Sequence, residues 1–184
     1  MKLHVVVCST RPGRKGPAIA RWFADVASQE GSFEVELVDL ADFALPIFNE
    51  PHHPRLQKYE HEHTKRWSAK VAEADAFVFV MPEYNYNPPP SFVNAVDYLV
   101  HEWAYKPAAF VSYGGMSGGL RAVQSAKLLL TTLKVMPLPD GVVLSSFFSQ
   151  FEGEAFTAKE TNDAAAKATL TELHKWASAL ATLR

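Results

Sequence analysis

Cysteine and long apolar runs are nearly absent from this sequence of 184 residues. The single cysteine, Cys8, has no partner within the chain, which excludes intrachain disulfides and is compatible with a reducing cytoplasm. No apolar run approaches the ~18–20 residues that a transmembrane helix requires. The first residues also lack the pattern of a secretory signal. We therefore expect a cytoplasmic protein that neither spans nor binds a membrane.

The chain also lacks an excess of charge of either sign. Lys and Arg together number 18 and Asp and Glu 20, so the formal net charge is −2. Nucleic-acid binding requires a basic face, and electron carriers that dock electrostatically on protein partners are strongly acidic. Neither class fits this balance. The remaining composition, 48% apolar, is that of a globular protein, and the length predicts one domain over residues 1–184.

Hydrophobic periodicity predicts five repeats of a strand followed by a helix. The predicted strands cover residues 4–8, 33–39, 76–80, 108–112 and part of 135–144. The predicted helices cover residues 16–31, 57–74, 90–103, 120–133 and a last segment that a capping-box pattern at 157–160 opens. The third strand is apolar throughout, as a central strand covered on both faces should be. The fold class is therefore α/β, with an open parallel sheet between helices.

Three loops leave strands at the carboxyl edge of the predicted sheet, where ligands bind in such folds. The first, 9–16, offers hydroxyls, cations and glycines just before a helix N-terminus, a chemistry that favours phosphate. The second, 82–90, combines prolines with tyrosines and asparagines, which suits a planar heteroaromatic ring. The third, 112–119, is rich in glycine and permits close approach of its backbone. A phosphate at one end and a planar ring at the other describe flavin mononucleotide (FMN).

The same loops carry a resemblance to a known family. Residues 9–16, the sequence Pro82-Glu83-Tyr84-Asn85 and residues 112–115 resemble the flavin loops of the NAD(P)H-dependent FMN reductases, the second loop most specifically. The resemblance implies a flavodoxin-like, three-layer α/β/α sandwich with a five-stranded parallel sheet in the order 2-1-3-4-5. The implied flavin-binding residues are Ser9, Thr10, Arg11, Lys15, Gly16 and Pro17 for the phosphate, Pro82, Glu83, Tyr84 and Asn85 for the ring, and Ser112, Tyr113, Gly114 and Gly115 for its other side.

The family resemblance also implies an activity. NADPH or NADH would deliver a hydride to N5 of bound FMN, and the electrons would pass to a quinone, an azo compound, a metal oxyanion or free flavin. Because the flavin carries the chemistry, no catalytic side chain and no metal site are expected. Relatives of this kind are usually homodimers or dimers of dimers, and the predicted helix 90–103 could supply such a surface.

Two other functions compete with the reductase interpretation. Residues 115–119 match G-x-S-x-G between a strand and a helix, so Ser117 could be a hydrolase nucleophile with Asp140 or Asp163 and His174. Alternatively, Ser117 caps the following helix. A flavodoxin-type electron carrier would bind the same cofactor without oxidising NADPH directly.

Several residues receive structural interpretations only. The histidine-rich segment 51–63 matches no motif, and His61 and His63, two residues apart, should not share a helix face and so predict surface histidines rather than a metal site. Cys8 is expected to be a small buried residue. Trp22, Phe23 and Trp176 lie on helix stripes and are predicted to be core, whereas Arg121 is predicted to be a surface helix residue.

Overall fold

The computed structural model describes all residues, 1–184, and contains a five-stranded parallel sheet between helices. The strands of this sheet are β1 Lys2–Val7, β2 Glu34–Asp39, β3 Ala76–Pro82, β4 Pro107–Tyr113 and β5 Met136–Leu144. The helices are α1 Gly16–Glu30, α2 Glu62–Glu73, α3 Pro90–Asp97, α4 Leu120–Thr131 and α5 Glu160–Leu180. The strand order β2-β1-β3-β4-β5 confirms the predicted flavodoxin-like arrangement.

Two cores of similar size lie on opposite faces of the sheet. One cluster of 23 buried residues includes Trp67 of α2 and Phe92 of α3, and the other, of 22 residues, includes Phe23 of α1 and Leu170 of α5. Every residue of β3 is buried, because this central strand is covered by helices on both faces. No helix combines the length and the apolar composition needed to cross a bilayer.

The structure corrects several predicted element boundaries. The helix predicted from residue 57 begins at Glu62, and the predicted helix 90–103 divides into α3 and a short 3-10 helix, His101–Trp103. The Trp103 indole is fully buried and donates to the Val96 carbonyl at 3.2 Å, so Trp103 is a core residue rather than an exposed one. A hairpin of β6 Phe151–Glu152 and β7 Ala155–Phe156, which was not predicted, lies between β5 and α5.

Two predictions on the last helix also change. α5 begins after Lys159, whose backbone N–H donates to Asn162 Oδ1 at 2.9 Å, so the reciprocal cap does not use residues 157 and 160. The Trp176 side chain is 37% exposed and not part of the core.

Phe23 of α1 is fully buried as predicted. Trp22, also of α1, is half-buried against the hairpin, and its ring centroid lies 5.5 Å from that of Phe156.

The segment between β2 and α2 is fixed by buried polar groups. The Glu50 carboxylate accepts the backbone N–H groups of Glu60 at 2.8 Å and His61 at 3.1 Å, just before α2. Asn94 Nδ2 of α3 donates to the Pro46 carbonyl at 2.6 Å. The His61 and His63 rings stack with centroids 5.1 Å apart, contrary to the expectation that they diverge, because His61 precedes the helix. The segment is therefore a fixed wall beside α3.

His4 makes folding stability dependent on pH. Its side chain is 1% exposed, and its Nε2 lies 3.4 Å from a Glu36 carboxylate oxygen without a hydrogen bond. Burial lowers the pKa of His4 from 6.5 to about 4. The unfolded chain therefore binds more protons between these values, and stability should fall by about 2–3 kcal/mol as the pH drops from 6.5 to 4.

Urea unfolding of the wild type and of His4→Gln at several pH values tests this prediction. The His4→Gln protein should lose less stability than the wild type across the same window. His52→Gln, at an exposed histidine before α2, is the matched control and should behave as the wild type. Equal pH dependence in the wild type and His4→Gln would show that His4 does not cause it.

Candidate functional site

The loops that follow β1, β3 and β4 meet where the strand order reverses, beside the carboxyl ends of β1 and β3. They line a cavity of about 290 Å³. The predicted site residues in its wall are Ser9, Arg11, Lys15, Pro82, Glu83, Tyr84, Tyr113, Gly114 and Gly115. A neighbouring cavity of about 450 Å³ shares Arg11 and Lys15 and adds the predicted Thr10 and Pro17. Residues far apart in sequence are thus gathered at the predicted edge.

The three cations of the first loop have different partners. Arg14 donates to Asp39 Oδ2 at 2.6 Å and to the Ser9 carbonyl at 2.7 Å. Lys15 Nζ donates to the Gly153 carbonyl at 2.9 Å and to Glu154 at 3.0 Å, which ties the loop to the hairpin. Arg11 is exposed and forms no ion pair. The loop therefore keeps one uncommitted guanidinium beside the N-terminus of α1, where an anion is favoured.

Tight contacts connect the first loop to the other two. The Ser9 Oγ and Tyr84 hydroxyl oxygens are 2.6 Å apart and share a hydrogen bond. Gly16 packs against Tyr113, and a Cβ at Gly16 would lie 2.9 Å from the Tyr113 hydroxyl oxygen. Burial raises the pKa of Tyr113, so this hydroxyl remains protonated. Gly16 therefore contributes to the site by packing under it, which requires the absence of a side chain.

The second loop contains a strained turn. Tyr84 and Asn87 exchange two backbone hydrogen bonds, of 2.9 and 3.0 Å, across Asn85 and Tyr86. Both central residues have positive φ, 51° and 72°, which asparagine tolerates and tyrosine rarely adopts. The Arg121 guanidinium carbon lies 4.3 Å from the Tyr86 ring centroid, a cation–π contact. Backbone strain of this kind is often concentrated at functional sites.

Glu83 is an ionised carboxylate in the wall of the cavity. It accepts hydrogen bonds from the Ser117 hydroxyl at 2.9 Å, the Arg121 backbone N–H at 3.1 Å and the Arg121 guanidinium at 3.2 Å. Burial opposes ionisation, but these hydrogen bonds at the start of α4 outweigh it and lower the pKa of Glu83. The carboxylate therefore carries its charge at neutral pH.

The third loop depends on two glycines that are not among the predicted site residues. Gly118 has φ +59°, and a Cβ there would lie 2.5 Å from Val143 Cγ1. Gly119 has φ +86°, and a Cβ there would lie 3.0 Å from the Tyr113 backbone nitrogen. Their place in a glycine-rich segment was the feature of the sequence that could have indicated their role. Together they let α4 begin directly against the ends of β4 and β5.

This geometry agrees with comparisons to known proteins. Residues 1–150 match the family described as NADPH-dependent FMN reductase. The chain belongs to this family. An NAD(P)H-dependent FMN reductase of Schizosaccharomyces pombe is 45% identical over 120 residues, which cover 64% of this chain and 60% of that protein. One from Saccharomyces cerevisiae is 30% identical over 168 residues, 78% of this chain and 87% of that one.

A solved structure supports the same fold. The Paracoccus denitrificans protein FerB, a flavoenzyme NAD(P)H:(acceptor) oxidoreductase, superposes with a TM-score of 0.78. It is 21% identical, and the superposition covers 96% of this chain and 97% of that one. At this identity the likeness shows the fold alone.

Two of the site residues predicted for this FMN reductase family member have side chains outside the cavity. Successive residues of a strand point to opposite faces, so Tyr113 lines the cavity while Ser112 lies under α4 in a separate space of about 70 Å³. The Ser112 hydroxyl is buried there without a hydrogen-bond partner. The Asn85 side chain is exposed at the turn, and the Asn85 carbonyl accepts from Asn87 Nδ2 at 3.1 Å.

Two aromatic residues of the wall were missed. Phe147 and Phe148 lie in the short 3-10 helix after β5 and line the cavity, with ring centroids 4.1 Å apart. Phe148 is 67% exposed at its mouth. The run of phenylalanines at 147, 148 and 151 was a signal, but no periodicity connected it to the three loops.

The G-x-S-x-G match does not form a hydrolase triad. The Ser117 hydroxyl donates to Glu83 and accepts from the Gly119 backbone N–H at 3.3 Å. His174 of α5 packs instead on Phe33, next to the amino end of β2, with ring centroids 5.4 Å apart. His174 therefore cannot act as the general base for Ser117. The N-cap residue of α4 is Gly119 rather than Ser117.

One cluster outside the cavity has the residue types of a metal site. Ligand atoms of His4, Glu36 and Glu73 lie within 4.8 Å of one another. However, Lys70 Nζ lies between the two carboxylates, 2.7 Å from Glu36 and 2.8 Å from Glu73. An ammonium group already neutralises the carboxylates, so the cluster is explained by ion pairing.

Proposed function

We propose that this chain is an NAD(P)H-dependent reductase that holds FMN and passes electrons to a small acceptor such as a quinone. The observation that carries the proposal is the convergence of three loops on one cavity at the strand-order reversal, in a chain of the FMN reductase family. A quinone reductase of Pseudomonas putida, 31% identical over 144 residues and matched over 74% of each chain, supports the acceptor class.

The residues of the cavity fit FMN by their chemistry. Arg11 is the uncommitted cation, and the backbone N–H groups of Thr10, Arg11 and Gly13 donate to no protein acceptor, so this loop would hold the phosphate. The backbone of Pro82, Glu83, Gly114 and Gly115, with the Tyr84 ring, would border the isoalloxazine. When bound there, FMN would supply two-electron redox chemistry between NAD(P)H and the acceptor.

Two titratable side chains of the cavity wall, Glu83 and Tyr113, keep a constant charge near neutral pH. The pKa of Glu83 is lowered and that of Tyr113 is raised, so neither group changes protonation near neutral pH. The protein would orient the ring and provide a fixed electrostatic environment, without an acid–base residue in hydride transfer. We propose that the site residues predicted from the sequence hold FMN in this way, apart from the side chains of Ser112 and Asn85.

Steady-state kinetics tests the activity and separates it from that of an electron carrier. Purified protein supplied with FMN should oxidise NADPH or NADH in the presence of a quinone. When the donor concentration is varied at several fixed acceptor concentrations, the double-reciprocal plots should be parallel, since the oxidised donor leaves before the acceptor binds. Oxidation that requires a protein partner would favour the electron carrier. Ester hydrolysis lost in Ser117→Ala would favour the hydrolase.

We further propose that the chain forms a homodimer through the face that carries α3. A groove of about 1060 Å³ there is lined by α3, by part of the segment 40–48 and by Leu129, and its edge includes Thr10 and Asn87 beside the site loops. Ile47 is 90% exposed next to the groove, and Leu128 is also exposed. An exposed apolar surface of this kind favours association.

Light scattering coupled to gel filtration measures the oligomeric state. Ile47→Asp should reduce the mass to that of one chain, because a charge would be buried without a partner. Leu183→Asp, at an exposed apolar residue near the C-terminus, should leave the mass unchanged. A wild-type mass of one chain, or no effect of Ile47→Asp, would contradict this interface.

Three broader proposals accompany these. The whole chain 1–184 forms one FMN-binding domain, supported by two cores that share a single sheet. A cytoplasmic location is supported by the single buried cysteine. Nucleic acid is not expected to be a partner, given the net charge of −2.

A further inference from the structure

The network around Glu83 joins two loops that face each other across the candidate site. Glu83 belongs to the loop after β3, whereas Ser117 lies in the connection from β4 to α4 and Arg121 lies in the first turn of α4. Three hydrogen bonds of 2.9, 3.1 and 3.2 Å cross this gap. The Glu83 backbone N–H adds a fourth connection, donating to the Tyr113 carbonyl at 3.3 Å.

Arg121 makes a second contact with the same loop. Its guanidinium lies over the ring of Tyr86, one of the two residues at positive φ in the turn. A bulky residue is strained in that conformation, so the turn needs support from outside. Arg121 therefore holds the loop after β3 at both its base, Glu83, and its tip, Tyr86.

We propose that Ser117 and Arg121 are positioning residues that fix the loop 82–87 against the glycine loop 114–119 and so set the width of the flavin-binding cavity. This inference rests on the proposed function and deepens it. Neither residue lines the cavity itself, so each would act on it through the loop 82–87. It gives the G-x-S-x-G match a role without nucleophilic chemistry. It also gives Arg121 a role beyond that of a surface helix residue.

Charge supports the same assignment. A carboxylate left unpaired beside the cavity would repel an electron-rich ring and the anionic hydride donor. The Arg121 guanidinium and the N-terminus of α4 neutralise Glu83 where it stands. We call the contacts of Ser117 and Arg121 with the loop 82–87 the clamp. The clamp fixes the geometry of the loop and neutralises the Glu83 charge.

The clamp is tested by titrating the apo form of the full chain with FMN and measuring the affinity by flavin fluorescence. Arg121→Met and Ser117→Ala should each weaken FMN binding about tenfold, because each removes a hydrogen bond that holds the Glu83 carboxylate in place. Arg121→Lys, which retains the charge, should recover part of this loss. Lys175→Met is the matched control, since it removes an exposed ion pair of 2.6 Å with Glu172 on α5 and should not change FMN binding.

A double-substitution cycle distinguishes positioning from a general loss of stability. In the Glu83→Gln background, which has no ion pair, Arg121→Met should weaken FMN binding only about two- to threefold, because only the Tyr86 contact remains to be lost. The rise in unfolding temperature on adding FMN should shrink in Arg121→Met and Ser117→Ala, but not in Lys175→Met. Variants that bind FMN as tightly as the wild type would overturn the clamp alone. A wild-type chain that does not bind FMN would overturn the proposed function and the clamp together.

Discussion

Arg11→Ala is expected to weaken FMN binding by roughly 30- to 100-fold while the fold remains intact. Arg11 is exposed, lines the cavity and forms no ion pair, whereas Arg14 and Lys15 are committed to Asp39 and Glu154. A charge-assisted hydrogen bond to phosphate contributes up to about 3 kcal/mol, and a loss of 30- to 100-fold corresponds to about 2–2.7 kcal/mol. Because Arg11 makes no contact that supports the fold, the unfolding temperature of the apo protein should not change.

Riboflavin provides the sharpest control for this prediction, because it has the same ring and ribityl chain but no phosphate. Arg11→Ala should reduce the affinity for FMN but leave that for riboflavin nearly unchanged. Arg55→Ala, at another exposed arginine without an ion pair, should affect neither ligand. A parallel loss of FMN and riboflavin affinity would indicate that Arg11 shapes the ring site. Unchanged FMN affinity would remove Arg11 from the phosphate site.

Gly118→Ala is expected to destabilise the protein by about 2–4 kcal/mol. The added Cβ would lie 2.5 Å from Val143 Cγ1 and 3.0 Å from the Ser145 backbone nitrogen, and the residue has φ +59°. The backbone of β5 or of the glycine loop must shift to accept it. Chemical unfolding of the apo protein measures the effect without reference to a ligand.

Gly115→Ala is the matched control on the same loop. A Cβ at Gly115 meets no atom within 4 Å, and its φ is not positive. Its stability should therefore stay within about 0.5 kcal/mol of the wild type. Because Gly115 lines the cavity, FMN affinity should still fall. Equal stability losses at both glycines would show that the close contacts of Gly118 do not limit the fold.

The sheet was predictable because its signal is local. The apolar residues of β3 and the stripe of α1 appear within short windows, so element order followed from periodicity. The strand order 2-1-3-4-5 came from the family resemblance and not from periodicity. The start of α2 was not predictable locally, because the Glu50 carboxylate that fixes the backbone just before it lies 11 residues before His61.

The site was predictable at the level of loops and less so at the level of side chains. The carboxyl ends of parallel strands share one edge, which placed residues 9–16, 82–85 and 113–115 together. Which of Ser112 and Tyr113 faces the cavity depends on the pleat of β4, which the loop pattern does not specify. Phe147 and Phe148 enter from a fourth segment after β5, and their contribution depends on tertiary packing.

An anaerobic absorption spectrum tests whether the protein binds FMN and reduces it with NADPH. The protein is mixed with FMN, freed of unbound flavin and then treated with NADPH. We expect a flavin band near ~450 nm that remains with the protein and is bleached by NADPH without any other component. Two results would contradict the proposed function. One is a protein that retains no flavin after mixing, and the other is a bound flavin that stays oxidised when NADPH or NADH is added.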